Sequence, residues 1–102
     1  MSKQYKAAIV GCGSIGQAHM QGYERLDNVD VVAVVDPLEP ARKMYMDEYG
    51  IPSGYATVAE MLTESEPDIV SVCVWHLLHD TVTAEVAVGP SVKWIICEKP
   101  MA

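Results

Sequence analysis

The sequence lacks a long hydrophobic run and carries little positive charge. Its 102 residues include 14 acidic and 7 basic side chains, a formal net charge of −7. No apolar run approaches the ~20 residues that span a bilayer. No signal-peptide segment precedes the first predicted strand. Because a net negative chain is repelled by nucleic acid and by anionic lipid, we expect a single cytoplasmic domain that binds neither.

Cysteine is scarce as well, and its spacing suggests no pairs. Cys12 lies in a glycine-rich segment, while Cys73 and Cys97 each lie in an apolar run. An odd count without paired spacing is typical of reduced, buried thiols rather than of a disulfide framework. His76 and His79 are three residues apart, but neither has a cysteine or carboxylate partner at ligand spacing. The sequence therefore predicts no metal site.

The most informative feature that is present is the segment at residues 11–16, Gly-Cys-Gly-Ser-Ile-Gly. It follows an apolar run at residues 5–10 and precedes an amphipathic stretch. A second, β-branched run at residues 29–35 then ends at Asp36. A strand, a glycine turn, a helix, a strand and an acid in this order are the sequence pattern of a dinucleotide-binding βαβ unit.

Each glycine of the segment has a separate predicted task. Gly11 allows a tight turn out of the strand, Gly13 lets a pyrophosphate approach the backbone, and Gly16 lets the helix lie close on the sheet. The free N–H groups at the helix start, including those of Ser14 and Ile15, then face the phosphates. Two alternatives are a purely structural glycine turn and a methyltransferase loop. The second is disfavoured because its third glycine would fall at position 15.

Asp36 predicts which nicotinamide cofactor is preferred. A carboxylate can accept hydrogen bonds from the adenosine ribose, but it repels the 2′-phosphate of NADP. The next residues, Pro37 and Leu38, offer no compensating cation, and Arg42 and Lys43 fall further along, on the next predicted helix. We therefore expect NAD to be preferred over NADP. The alternative is that Asp36 only caps the turn that follows the strand.

The rest of the chain continues the alternation of strands and helices. We predict the first helix to bury Ile15, Ala18, Gly22, Tyr23 and Leu26. The later helices are predicted at residues 40–49, 57–65 and 79–88, the later strands at 68–74 and 93–97, with at most a very short edge strand at 55–56. This order predicts an α/β fold with a doubly wound parallel sheet.

Three predicted strand ends carry polar residues, at positions 11–16, 75–79 and 98–100. In a doubly wound sheet, ligands bind outside the carboxyl ends of the strands, where the strand order reverses. We therefore expect these three segments to line one crevice.

In combination, these motifs resemble the N-terminal part of the Gfo/Idh/MocA oxidoreductases, the family of glucose-fructose oxidoreductase and inositol dehydrogenase. The match consists of the segment at 11–16 followed by His19, the strand ending Val-Asp-Pro at 35–37, a later strand followed by His79, and Glu-Lys-Pro at 98–100. These features extend over essentially the whole chain.

The resemblance implies NAD(P)-dependent oxidation or reduction of a sugar, cyclitol or similar polyol. It places Lys99, as the catalytic residue, near the nicotinamide and the reacting oxygen, with Glu98 holding it and His79 lining the nicotinamide end. Trp75 and His76 stand where the family has a Thr-Pro-Asn-like turn, so Trp75 either stacks on the cofactor or packs elsewhere. The alternative for Lys99 is a solvated lysine at a strand end.

The resemblance also implies a second α/β domain that supplies the substrate pocket, and these 102 residues do not contain one. We therefore expect this Rossmann part alone to bind NAD weakly and to be inactive. We also expect its fifth strand to be an open edge that favours homo-oligomers. The alternative function is a non-catalytic NAD-binding module for redox sensing or regulation.

Overall fold

The computed structural model describes residues 4–73 and 76–97, with the side chains of residues 14–15, 76–80 and 97 left out of the description. Strands and helices alternate along these residues. They are β1 (Tyr5–Val10), α1 (Ser14–Glu24), β2 (Val29–Val35), α2 (Glu39–Tyr49), β3 (Ser53–Tyr55), α3 (Val58–Ser65), β4 (Ile69–Val72), α4 (His76–Ala87) and β5 (Trp94–Cys97).

The strands form one parallel sheet in the order β3-β2-β1-β4-β5. The chain moves outward from β1 to β3, crosses back beside β1, and moves outward again to β5, so the strand order reverses between β1 and β4. This confirms the predicted doubly wound fold. Val10 pairs with Val35 on one side and with Val72 on the other, and Val72 pairs with Cys97. The carboxyl ends of these strands are therefore level with one another.

Successive strand residues point to opposite sides of the sheet, and helices cover both sides. Both faces of the sheet are therefore buried. On one face Ala8, Val10 and Val35 pack with Val58 and Met61 of α3. The other face packs against α1 and α2 and includes Ala7, Ile9, Val34, Met20, Tyr23 and Tyr45. The sheet therefore has two hydrophobic cores, and the glycine-rich segment leaves β1 between them.

Most element boundaries agree with the sequence predictions. β1 and β2 occupy the predicted residues, and α2 ends before Gly50, whose φ of +67° is left-handed. Thr57 caps α3, since its Oγ1 accepts a hydrogen bond from the Glu60 N–H at 3.3 Å and donates one to the Glu60 carboxylate at 3.0 Å. These reciprocal bonds are a capping box, as predicted.

Several element ends differ from the predictions by one or two residues, such as β4 at Ile69–Val72 rather than 68–74. The starts of β3 and α4 differ as well. The short edge strand is Ser53–Tyr55 rather than residues 55–56, because pairing with Ala33 and Val34 of β2 extends it back through Gly54. A Cβ at Gly54 would lie 2.7 Å from the Met46 sulfur, so close packing of α2 favours glycine in this strand. α4 begins at His76 rather than at residue 79.

The predicted inner face of α1 is confirmed at Tyr23, which is buried, and the side chain of Ile15 lies outside the description. The prediction is wrong at Ala18 and Gly22, which are exposed, and at Leu26, which is 49% exposed, whereas Gly16 and Met20 are buried instead. Two contacts lie on the buried side of the helix. Gly16 packs against the backbone of the glycine turn, and the Tyr23 hydroxyl shares a 2.6 Å hydrogen bond with Ser71 Oγ of β4. The buried positions 16, 20 and 23 are also at helical spacing, so the sequence contains two possible buried stripes.

β5 is an edge strand of the described sheet, as predicted. Ile95 packs into the core on the α3 side, while its neighbours Trp94 and Ile96 are 50% and 44% exposed. The Trp94 ring makes an edge contact with Tyr5, with 5.5 Å between centroids. The opposite face of β5 is therefore apolar and only partly covered by the described residues.

Candidate cofactor-binding site

The turn after β1 depends on the backbone conformation of Gly11. Its φ is +102°, which is in the region that L side chains rarely adopt. Its N–H donates to the Val35 carbonyl at 2.7 Å, which extends the β1–β2 pairing by one residue into the turn. Glycine at position 11 therefore lets the chain leave the sheet sharply while still bonded to β2.

Gly16 lies at the closest backbone approach in the turn. A Cβ on this residue would lie 2.6 Å from the Gly11 carbonyl oxygen and 2.6 Å from the Tyr45 hydroxyl. Both distances are shorter than any real Cβ contact. The first turn of α1 therefore packs onto the glycine turn and onto α2. The sequence pattern instead predicts that Gly16 lets the helix pack closely on the sheet.

Gly13 behaves differently from Gly16, because the protein itself leaves room for a side chain there. Its backbone is extended, with φ −113° and ψ −164°, and no atom lies within 4 Å of an added Cβ. It occupies the N-cap position of α1, where it brings no side chain to accept from the helix N–H groups. The fold of the described chain therefore does not require glycine at this position.

Asp36 connects the end of β2 to the glycine turn. Its Oδ2 accepts from the Cys12 N–H at 3.0 Å, and its Oδ1 accepts from the Leu38 N–H at 2.9 Å. The turn-capping role considered for Asp36 is therefore present. A carboxylate has about four lone-pair sites, so these two bonds leave acceptor capacity on a half-buried side chain beside the glycine turn.

Arg42 provides a cation at the carboxyl end of β2, where the sequence alone predicts none. It lies on α2, as predicted, but its Nη1 reaches back to donate to the Asp36 carbonyl at 2.7 Å. The guanidinium is half-buried and lies close enough to oppose the charge of Asp36 at the Cys12 thiol. The carboxyl end of β2 therefore carries one acidic and one basic side chain.

Cys12 is a neutral thiol in this setting. Burial, and secondarily the negative charge of Asp36, raise the pKa of Cys12 from 9.0 to about 12, although Arg42 opposes the shift. Because the thiolate is the reactive form of cysteine, Cys12 has no nucleophilic role at neutral pH. Cys12 and Cys73 are both buried, and neither forms a disulfide with another described residue.

The other predicted site residues follow β4 and β5. His76 and His79 belong to the first turn of α4, and the description covers their backbone alone. Trp75, Glu98 and Lys99 lie outside the described residues. Because Val10, Val72 and Cys97 are register partners, the ends of β1, β4 and β5 meet at one edge of the sheet. This alignment is the one expected for a crevice at the strand-order reversal.

The described residues contain neither a cluster of metal ligands nor a membrane-spanning helix. Residues 4–73 and 76–97 contain no group of three or more potential metal-ligating side chains. None of the described helices has the length and hydropathy needed to cross a membrane.

The comparison with family profiles identifies the family. The profile of the Gfo/Idh/MocA family, described as "Oxidoreductase family, NAD-binding Rossmann fold", matches residues 5–102. The chain belongs to this family. The resemblance inferred from the motifs is thereby confirmed, and so is the assignment to an oxidoreductase NAD-binding domain.

Curated members of the Gfo/Idh/MocA family match nearly all of the chain. Inositol 2-dehydrogenase of Pseudomonas syringae pv. syringae is 35% identical over 100 residues, covering 95% of this chain and 29% of the relative. D-apiose dehydrogenase of Paraburkholderia graminis is 28% identical over 100 residues, covering 98% and 26%. The chain therefore spans less than a third of the length of these relatives.

Solved structures of Gfo/Idh/MocA proteins share the fold. The WlbA dehydrogenase of Chromobacterium violaceum, in complex with NADH and UDP-GlcNAcA, superimposes with a TM-score of 0.85 at 29% identity, covering 100% of this chain and 29% of that one. The scyllo-inositol dehydrogenase of Lactobacillus casei gives a TM-score of 0.83 at 19% identity, covering 96% and 29%, and supports the fold alone.

The geometry predicts unequal effects on stability for two Gly→Ala substitutions. Gly16→Ala should lower the free energy of unfolding by ~1–3 kcal/mol because its Cβ meets backbone, which is roughly a 5–20 °C fall in Tm for a domain of this size. Gly13→Ala should change stability by no more than ~0.5 kcal/mol, since its Cβ enters open space. Thermal and urea unfolding of both variants would test this. Equal losses of stability would show that the turn has been read incorrectly.

Proposed function

We propose that this chain is the NAD-binding part of an oxidoreductase that transfers hydride between nicotinamide and a sugar, cyclitol or related polyol. The observation that carries the proposal is the glycine turn at the start of α1, where Gly11 has a positive φ, Gly16 meets backbone and the space above Gly13 is open. A pyrophosphate needs this close approach to backbone. The inositol and D-apiose dehydrogenases among the relatives support the substrate class.

The residues at the start of α1 suit a pyrophosphate. Ser14 begins α1, so the N–H groups of Ser14, Ile15 and Gly16 lie in the first turn, where a helix has no carbonyl partners for them. The positive end of the helix dipole points to the same place. We infer that these groups, with Gly11 and Gly13, hold the cofactor diphosphate.

The Asp36 carboxylate suits the adenosine ribose. Its Oδ2 accepts from the Cys12 N–H at 3.0 Å, at the mouth of the glycine turn. The ribose hydroxyls would donate to the acceptor positions that remain on the carboxylate. The bond between Asp36 and Cys12 keeps the carboxylate in place before the ribose arrives.

The charges beside Asp36 support NAD over NADP, although less strongly than the sequence indicated. The carboxylate repels a 2′-phosphate, while the Arg42 guanidinium, bonded to the Asp36 carbonyl, attracts it. The Asp36 carboxylate is bonded to the Cys12 N–H of the glycine turn, whereas the Arg42 guanidinium is bonded to the backbone carbonyl of Asp36. We infer that the repulsion is the larger effect.

The bound nicotinamide would supply the hydride acceptor or donor. We propose that Lys99 hydrogen-bonds the reacting substrate oxygen or takes part in the relay of its proton. In this proposal Glu98 holds Lys99, while Trp75, His76 and His79 line the nicotinamide end. The meeting of the β1, β4 and β5 ends at one sheet edge supports this arrangement.

The first test of the proposal is cofactor binding by Gly13→Ala. Because its added methyl enters the space assigned to the pyrophosphate, NAD affinity should fall by at least about tenfold, equivalent to ~1.4 kcal/mol. Isothermal titration calorimetry with NADH would measure this, with Gly22→Ala as the control because Gly22 is an exposed glycine of α1 with equal room. Unchanged binding by Gly13→Ala would remove the main support for the proposed site.

The second test concerns cofactor preference. The wild-type protein should bind NADH more tightly than NADPH, and Asp36→Asn should narrow the difference by about tenfold because it removes the repelling charge. Arg42→Ala should weaken NADPH more than NADH. Parallel titrations at low and moderate salt would measure both effects. Tighter binding of NADPH by the wild type would contradict the assignment.

The third test separates an enzyme from a non-catalytic NAD-binding module. In the full natural protein, Lys99→Ala should retain NAD affinity and lower kcat with polyol substrates by about a hundredfold or more, as for loss of an acid–base group. Lys93→Ala is the matched control, since Lys93 is exposed and lies at the opposite end of β5, 4.0 Å from Asp68. NAD binding without turnover of any polyol by the wild type would favour the module.

A further inference from the structure

Tyr45 is a buried tyrosine of α2 that the sequence patterns do not connect with the glycine turn. Its side chain is fully buried, and its ring makes an edge contact with Tyr49 at 5.5 Å between centroids. Its hydroxyl donates to the Gly13 carbonyl at 2.5 Å, across 32 residues of sequence. A hydroxyl on the far helix is thus bonded to the residue that leaves room for a ligand.

The bond reaches the glycine turn at a decisive position. The Gly13 carbonyl also accepts the Gln17 N–H at 3.2 Å, which is the first backbone hydrogen bond of α1. The hydroxyl oxygen of Tyr45 also lies only 2.6 Å from the position that a Cβ on Gly16 would take. Tyr45 therefore contacts both ends of the first turn of α1.

The hydroxyl of Tyr45 remains a donor across the physiological range. Burial is the main reason that the pKa of Tyr45 is raised above 10.0, with smaller contributions from Cys12 and Tyr49. The phenol is therefore protonated at neutral pH. Because the Gly13 carbonyl can only accept, the direction of the hydrogen bond is fixed.

We propose that Tyr45 is a positioning residue for the pyrophosphate site: its hydroxyl holds the Gly13 carbonyl so that the N–H groups at the start of α1 are already oriented before the cofactor binds. The cofactor part of this inference rests on the proposed function. A turn with no side-chain cap and several glycines loses much backbone entropy when it is ordered. The Tyr45 hydrogen bond orders the turn when the protein folds. Less backbone entropy is therefore lost when the cofactor binds.

The first experiment requires no cofactor. Tyr45→Phe keeps the ring and removes the hydroxyl, so amide deuterium exchange in residues 11–17 should become faster, by about three- to tenfold for one lost neutral hydrogen bond. Tyr23→Phe is the matched control, because Tyr23 is also buried and loses a hydroxyl bond, to Ser71 Oγ at 2.6 Å. Tyr23→Phe should lower the free energy of unfolding by a similar amount. Its amide exchange in residues 11–17 should become faster only as much as exchange in the rest of the protein does.

The second experiment measures NADH affinity of the same two variants in the full natural protein. Tyr45→Phe should raise Kd by about three- to tenfold, while Tyr23→Phe should leave it unchanged. Equal exchange rates in residues 11–17 for the two variants would overturn the inference, and so would equal NADH affinities. A wild type that binds no NADH would instead overturn the proposed function and the cofactor role with it. The exchange comparison would still decide whether Tyr45 holds the turn.

Discussion

The approach of the first turn of α1 to the Gly11 carbonyl is the constraint on which the rest of the site depends. Without a Cβ at Gly16, the helix start packs onto the turn and onto the Tyr45 hydroxyl. That packing brings the first N–H groups of the helix to the carboxyl end of β1, beside the point where the strand order reverses. A larger residue at position 16 would move the helix start, and the first N–H groups of the helix would move with it.

The glycines of the turn serve two different purposes, although they look alike in the sequence. Gly11 and Gly16 are required by the folded chain itself, through a positive φ and a close backbone contact. Gly13 is not required by any described contact, since its φ is ordinary and its surroundings are open. The proposed approach of a pyrophosphate gives glycine a purpose at position 13, whereas Gly11 and Gly16 are explained by the folded chain alone.

Much of the fold could be predicted from the sequence because the buried strands are strongly marked. β1 and β2 are β-branched or apolar runs bounded by polar residues, and their limits were predicted correctly. The buried face of α1 was predicted correctly at Tyr23 but wrongly at Ala18 and Gly22, because these two fit an apolar stripe equally well. The start of α4 at His76 was also missed. Local patterns identify an element more reliably than its rotation or its first residue.

The sequence by itself determined the family, the order of strands and helices, and the glycine turn with Asp36 at the end of β2. These follow from spacing along the chain, which needs no knowledge of distant contacts. Only the tertiary structure decided that Arg42 binds the Asp36 carbonyl and that Tyr45 binds the Gly13 carbonyl. The reason is that both are side chains of α2 whose partners lie on other elements, and hydropathy periodicity describes burial but not the partner of a buried polar atom.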